Sequence, residues 1–227
     1  MVDPAEATPP LFRWPAKGRV DRAIPKERLY AAARATSQLK QLFIDDVQRI
    51  RWAYKLGEQS LPLRPSDVVS EFQVFEIELR RSELSDQVLK AIDSAIPSPV
   101  VFELTRGRTG NAEIQVAAAR KDPGLRGPKV SSYFRSDWAP AESSRRDLPT
   151  SLDLGGLYEG VLTALLPLDT RPGEELSVAI DRMARAVLAE REIGALERRL
   201  RNEPQFNRKV ELRRALKTKR AELEQQR

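Results

Sequence analysis

Glu76 and Glu78 stand two residues apart in the run Glu71-Phe72-Gln73-Val74-Phe75-Glu76-Ile77-Glu78-Leu79-Arg80, whose alternation predicts a β-strand over Val68–Arg80. Side chains two apart on a strand share a face, so both carboxylates and Arg80 would project together. Converging carboxylates are what a hard divalent cation requires, and Asp67, Asp45 or Asp46 could complete the set. A metal-dependent nuclease with Glu76, Glu78 and Asp67 as its acidic residues is therefore one expectation. Such a site also profits from a lysine beside the attacking water. Arg80 stands there instead, and a guanidinium stays charged and cannot serve as a base. The other reading of the same residues is that they are carboxylates of a sheet, neutralised by Arg80, Arg81 or Arg51. We take that reading as the expectation and keep the nuclease as its alternative.

Charge accumulates at the other end of the chain. From Gln205 to Arg227 there are Arg208, Lys209, Arg213, Arg214, Lys217, Lys219, Arg220 and Arg227 against Glu211, Glu222 and Glu224, nearly the whole net charge of +6. On a helix these residues form a cationic rod able to neutralise phosphates along its length. Arg208, Lys209, Arg213, Arg214, Lys217 and Arg220 are the candidate contacts to nucleic acid or to an acidic partner. A plain solvated helix, with pairs such as Arg220 and Glu224 at i, i+4, is the competing reading, and aromatic residues for base stacking are sparse in it. Arg106-Gly107-Arg108-Thr109-Gly110 lacks the Gly-Lys-Ser/Thr ending of a nucleotide-binding loop and reads as a hairpin turn. Asp93, at the end of a helix leading into a strand, is expected to bond backbone. Trp52, Tyr54 and Trp138 are expected in the core or at an interface.

The chain has 227 residues with no cysteine and no histidine, which removes disulfides, thiol nucleophiles, histidine bases and Cys/His zinc or haem ligation. No cofactor and no metal are expected under the favoured reading. A pI near 9.7 fits an acidic partner. Neither a signal segment nor a long apolar run is visible, so the protein is expected to be cytoplasmic and to have no membrane partner.

The elements that must position these residues follow from pattern. Residues 1–24 are rich in proline and predict an extended arm, with Phe12 and Trp14 tucked against the domain. Pro25 opens a helix running towards Phe43. A strand over Val47–Lys55, the strand carrying Glu76, a helix over Ser82–Ile96 and a strand over Val100–Leu104 follow. The strand–helix–strand spacing predicts a right-handed parallel crossover. Further strands are expected at Ile114–Ala119 and Val130–Arg135, and a helix at Leu154–Leu166. The sum is an α+β core over 25–166, with a mixed sheet of about five strands and flanking helices. A long charged helical extension over 173–227 follows it. Its stripe Leu176, Ile180, Met183, Val187 falls out of step at Ile193, Leu196 and Leu200, which argues against a long regular coiled coil. Pro204 then breaks the pattern, leaving a helical hairpin or one bent helix.

Three strings resemble the bacterial domain-of-unknown-function family DUF4391. They are Ile24-Pro25-Lys26 with Phe43-Ile44-Asp45-Asp46-Val47-Gln48-Arg49-Ile50-Arg51-Trp52-Ala53-Tyr54-Lys55-Leu56, then Glu71–Arg80 with Ile92-Asp93-Ser94-Ala95-Ile96-Pro97, and last Gln205-Phe206-Asn207-Arg208-Lys209-Val210-Glu211-Leu212. The family pattern has lysine where this chain has Arg80 and Arg81. The resemblance implies no catalytic residue. It implies companions among helicase-like ATPase and DNA methyltransferase subunits in bacterial restriction and phage-defence gene clusters. The expectation is thus a non-catalytic accessory subunit whose basic tail touches DNA or an acidic surface. A nuclease, and a homo-oligomer formed through the tail stripes, are the alternatives.

Overall fold

The structure is a computed structural model and describes residues 10–108, 110–122, 129–130, 132–166, 171 and 173–226. The chain divides into two compact units, Met1–Leu165 and Leu166–Arg227.

The first unit is α+β. Its strands β1 (Arg19–Ala23), β2 (Val47–Leu56), β3 (Phe72–Leu79), β4 (Val100–Arg106) and β5 (Glu113–Ala118) lie side by side in chain order. After the two-residue ladder of β6 (Lys121–Asp122) and β7 (Lys129–Val130), the short strands β8 (Phe134–Arg135) and β9 (Ala139–Pro140) pair with β5. Among the described residues the main sheet therefore has seven strands, against the five or so expected. One addition is β1, inside the segment read as an arm. The expected strand over Val130–Arg135 is two short pieces in two sheets. Only β3 and β4 run parallel, joined by helix α3 (Asp86–Ser94) as the strand–helix–strand spacing predicts.

Both faces of the sheet are covered. The helix expected to run from Pro25 to Phe43 is two helices here, α1 (Lys26–Ala32) and α2 (Ser37–Asp46), separated where Arg34 adopts a φ of 48°. Thr36 restarts the helix by accepting the Leu39 N–H. Leu29, Phe43, Val88, Leu89 and Ile92 of α1–α3 pack with Phe75, Ile77 and Leu79 of β3 on one face. Phe72, from the opposite set of the alternation, meets Trp14 and the ring of Tyr158 on helix α4 (Leu154–Thr163). Asp153 caps α4 by accepting the Gly156 N–H at 2.8 Å. Phe12 and Trp14 are buried, as their types suggested.

A buried ion pair closes α3. The Lys121 ammonium lies 2.5 Å from Asp93 Oδ1 and reaches three carbonyl oxygens at the end of the helix and beyond it, those of Asp93, Ile96 and Ser98. Tyr133 donates its hydroxyl to the other carboxylate oxygen of Asp93 at 2.8 Å. Burial raises the Asp93 pKa, against the opposing pull of Lys121 and Tyr133. Asp93 thus bonds to side chains, while the backbone carbonyls around it are served by Lys121. Removing the cation strands a buried carboxylate and open carbonyls. Lys121→Met should destabilise the chain by about 3–5 kcal/mol in urea unfolding.

The second unit is a helical hairpin of α5 (Leu176–Asn202) and α6 (Phe206–Gln226), with Pro204 between them. Its helices are antiparallel. Leu223, near the end of α6, packs on Ala186 and Ala189 in the first half of α5. Arg182 donates to the carbonyl of Gln226 at 2.5 Å and Arg171 to that of Gln225 at 2.9 Å, so cations satisfy the open carbonyl end of α6. A two-nitrogen fork from Arg182 also grips Glu174, each bond 2.8 Å long. That fork, with the Arg171 N–H, holds the Glu174 carboxyl down at about 2, below its ordinary 4.5. A carboxylate depressed by folding adds stability above its unfolded pKa, and the addition is lost as pH falls through its folded value. The stability advantage of the wild type over Glu174→Gln should therefore be full above about pH 5 and be mostly lost by about pH 2, read by circular dichroism during denaturant titrations.

Candidate nucleic-acid interface

The hairpin sorts its charges along its length. Towards the open end, cations have partners: Lys219 lies 2.8 Å from both Glu192 and Glu222, and Arg220 2.8 Å from Glu197. The two carboxylates push the Lys219 pKa up, so its charge is held as well as matched. Towards the turn the balance changes. Between Arg198 and Lys217 there are eight lysines or arginines and two acids, Glu203 and Glu211. Arg198, Arg199 and Arg201 come from the end of α5, and Arg208, Lys209, Arg213, Arg214 and Lys217 from the stretch of α6 up to just past its middle. None of the five cations on α6 has an ion-pair partner among the described residues, and all but the half-buried Lys209 are exposed.

Part of this surplus has a structural use, since cations in the last turn of α5 suit its negative end. That account does not reach α6, where the cations sit from the start to just past the middle, against the preference of a helix dipole. Helical period places Lys209, Arg213, Lys217 and Arg220 in one stripe with Phe206, spaced by three and four residues. The stripe lies beside the row Leu212, Leu216, Leu223, whose last member packs on α5. Of the six tail residues singled out from sequence, Arg208, Lys209, Arg213, Arg214 and Lys217 thus share the stretch of α6 nearest the turn. Arg220 is tied to Glu197 and belongs to the paired region. Arg198, Arg199 and Arg201 are functional candidates that the sequence alone does not group with α6, because Pro204 separates them from the charge run that begins after Gln205. The signal was their own density on α5, which becomes one patch with α6 only once the helices close.

The sheet carboxylates are arranged differently. Glu76 lies 2.6 Å from Arg51, whose guanidinium also meets Asp21 at 2.9 Å. Glu78 is paired with Arg49 on the neighbouring strand. Arg80 turns away from both and donates to the carbonyl of Val47 at 3.0 Å. Arg81 pairs with Asp45 and Asp46. Asp67 is exposed in the Ser66–Val69 turn, which Ser66 and Val69 close with their own hydrogen bonds. Among the described residues no three acidic groups lie close enough to hold a metal ion, so the structure does not gather Glu76, Glu78 and Asp67.

The carboxylate beside Glu76 is Glu103, its register partner on β4. Glu103 is 2% exposed, accepts the Trp14 indole N–H at 2.7 Å and takes a two-nitrogen fork from Arg145 at 2.6 and 2.8 Å. It ties the segments around Trp14 and Arg145 to the middle of the sheet. Its signal in the sequence was one acid inside the apolar run Val100-Val101-Phe102-Glu103-Leu104. Arg106 stacks over the Trp138 ring at 4.0 Å and pairs with Glu113, and the turn after it is a β4–β5 hairpin. Gly107 has a φ of 90° there, and a Cβ would lie 2.5 Å from the Asn111 carbonyl oxygen. Thr109 lies outside the described residues.

Fold and charge together define an α+β unit joined to a helical hairpin with a cationic turn. The chain belongs to the family described as domain of unknown function DUF4391, whose model matches residues 12–223. No curated protein and no solved structure matches it. Among the described residues no helix is long and apolar enough to cross a membrane.

With Glu76, Glu78 and Glu103 each matched by an arginine, no cleavage of single- or double-stranded DNA is expected with magnesium or manganese. Cleavage that disappears in Glu76→Gln and Glu78→Gln would restore the nuclease.

Proposed function

We propose that this protein is a non-catalytic accessory subunit of a bacterial restriction-like or phage-defence complex, working in the cytoplasm. Its α+β unit docks on a larger subunit, a helicase-like ATPase or a DNA methyltransferase, and the turn end of its hairpin contacts DNA. One observation carries the DNA contact: among the described residues the five cations of α6 nearest the turn have no ion-pair partner, while Lys219, Arg220 and Arg182, further from it, are matched by carboxylates. Spare cations at one end of a rigid rod attract a polyanion and release its counterions. The partner subunits rest on the family resemblance alone.

Binding of duplex DNA by the full chain should weaken steeply with salt. Substituting Arg208, Arg213, Arg214 and Lys217 together by glutamine should reduce the slope of log K against log salt by about 3 to 4, since each phosphate contact contributes about 0.9. Equal slopes for the wild type and this variant would remove the hairpin from the interface. Affinity purification from the native host, with mass spectrometry of co-eluting proteins, tests the docking partner.

A further inference from the structure

Phe206 is 72% exposed and begins α6, at the head of the stripe Lys209, Arg213, Lys217. It is the most exposed large apolar side chain of the hairpin among the described residues, ahead of Leu188 and Val178 on α5. A lone exposed apolar residue needs no explanation. This one stands where the unpaired cations are densest, and it stands there firmly. Glu203 accepts the Gln205 N–H at 3.0 Å across the turn, and the Lys209 N–H closes the first helical turn on the Gln205 carbonyl, also at 3.0 Å. The ring is therefore presented on a set backbone, with few torsions left to order on binding.

A phenyl ring has no donor or acceptor, so it cannot read base edges. What it offers a nucleic acid is its face. In a continuous duplex the bases are already stacked on one another, and inserting a ring requires that a step first be opened. An unpaired base has a free face and gains by stacking at once. Below the ring, Lys209, Arg213 and Lys217 are spaced by four residues, about 6 Å along the helix, and offer successive positive charges to a backbone running down it. Aromatic platform and cationic track on one helical face are the two parts that single-strand binding combines.

We propose that the turn end of the hairpin prefers single-stranded nucleic acid, with Phe206 stacking on an unpaired base and Lys209, Arg213 and Lys217 following the backbone. This rests on the DNA contact proposed above and adds the form of DNA that the site selects.

The test is fluorescence anisotropy of the full chain with oligothymidine and with a duplex of equal length, over a salt series. The single strand should bind more tightly. Phe206→Ala should lose about tenfold in single-strand affinity, or about 1.4 kcal/mol, with the salt slope and the duplex affinity unchanged. Phe206→Trp should restore the binding, and circular dichroism should show the same helicity in all three proteins. Arg208, Arg213, Arg214 and Lys217 changed together to glutamine should weaken both substrates. If that variant weakens both while Phe206→Ala matches the wild type, the stacking proposal fails and the DNA contact stands. If neither alters binding to either substrate, both fail.

Discussion

The antiparallel closure of α5 on α6 is the constraint from which the functional surface follows. Among the described residues its buried apolar contact is Leu223 on Ala186 and Ala189, with Ile193 beside them. Alanines let the helices approach closely, but so small a cluster buries few side chains. The remaining specificity comes from charge, with Lys219 between Glu192 and Glu222, Arg220 on Glu197, and Arg182 on both Glu174 and the end of α6. These pairs set the direction and register of the two helices. Nearer the turn, from Arg198 to Lys217, eight lysines or arginines stand against two acids, so a surplus of positive charge is left there. The ion pairs that align the hairpin and the excess charge at its turn are two results of one distribution.

The α+β unit spends its charge in the opposite way. Arg51 is shared by Glu76 and Asp21, Arg145 and Trp14 close over Glu103, and Lys121 is enclosed with Asp93 and Tyr133. The buried acids Asp93 and Glu103 each have at least two polar partners, which is how a buried carboxylate keeps its charge or its hydrogen bonds. Carboxylates so engaged hold segments together. Glu103 fastens the chain around Trp14 and Arg145 to the sheet, and Asp93 fastens the strand after β5 to the end of α3.

The middle of the fold was readable because its signals are local. Apolar residues on both faces of β3, the amphipathic α3 and the prolines after it specify the parallel crossover over a few tens of residues. Strand β1 was not readable: Arg19-Val20-Asp21-Arg22-Ala23 has no alternation, and it is a strand because β2 offers it an edge. The break between α1 and α2 falls at an arginine in the left-handed region, a conformation its residue type does not announce. The two-residue strands β6–β9 are shorter than any period can show. At the candidate site, the α6 cations were visible as composition, whereas the union with Arg198, Arg199 and Arg201 requires the chain to reverse. A linear count cannot see that reversal. The ion pairs of Glu76 and Glu78 were half visible: Arg51 was among the candidate counter-ions, but the partner of Glu78 is Arg49, which cross-strand register selects.

Pro204 and its two neighbours do more than end one helix and permit the next. The connector between Asn202 and Phe206 is only Glu203, Pro204 and Gln205, which leaves α6 little slack to turn about its own axis while Leu223 stays on Ala186 and Ala189. So short a link works as an indexing pin: it helps fix which side of α6 meets α5 and which carries the Lys209–Arg213–Lys217 row outward.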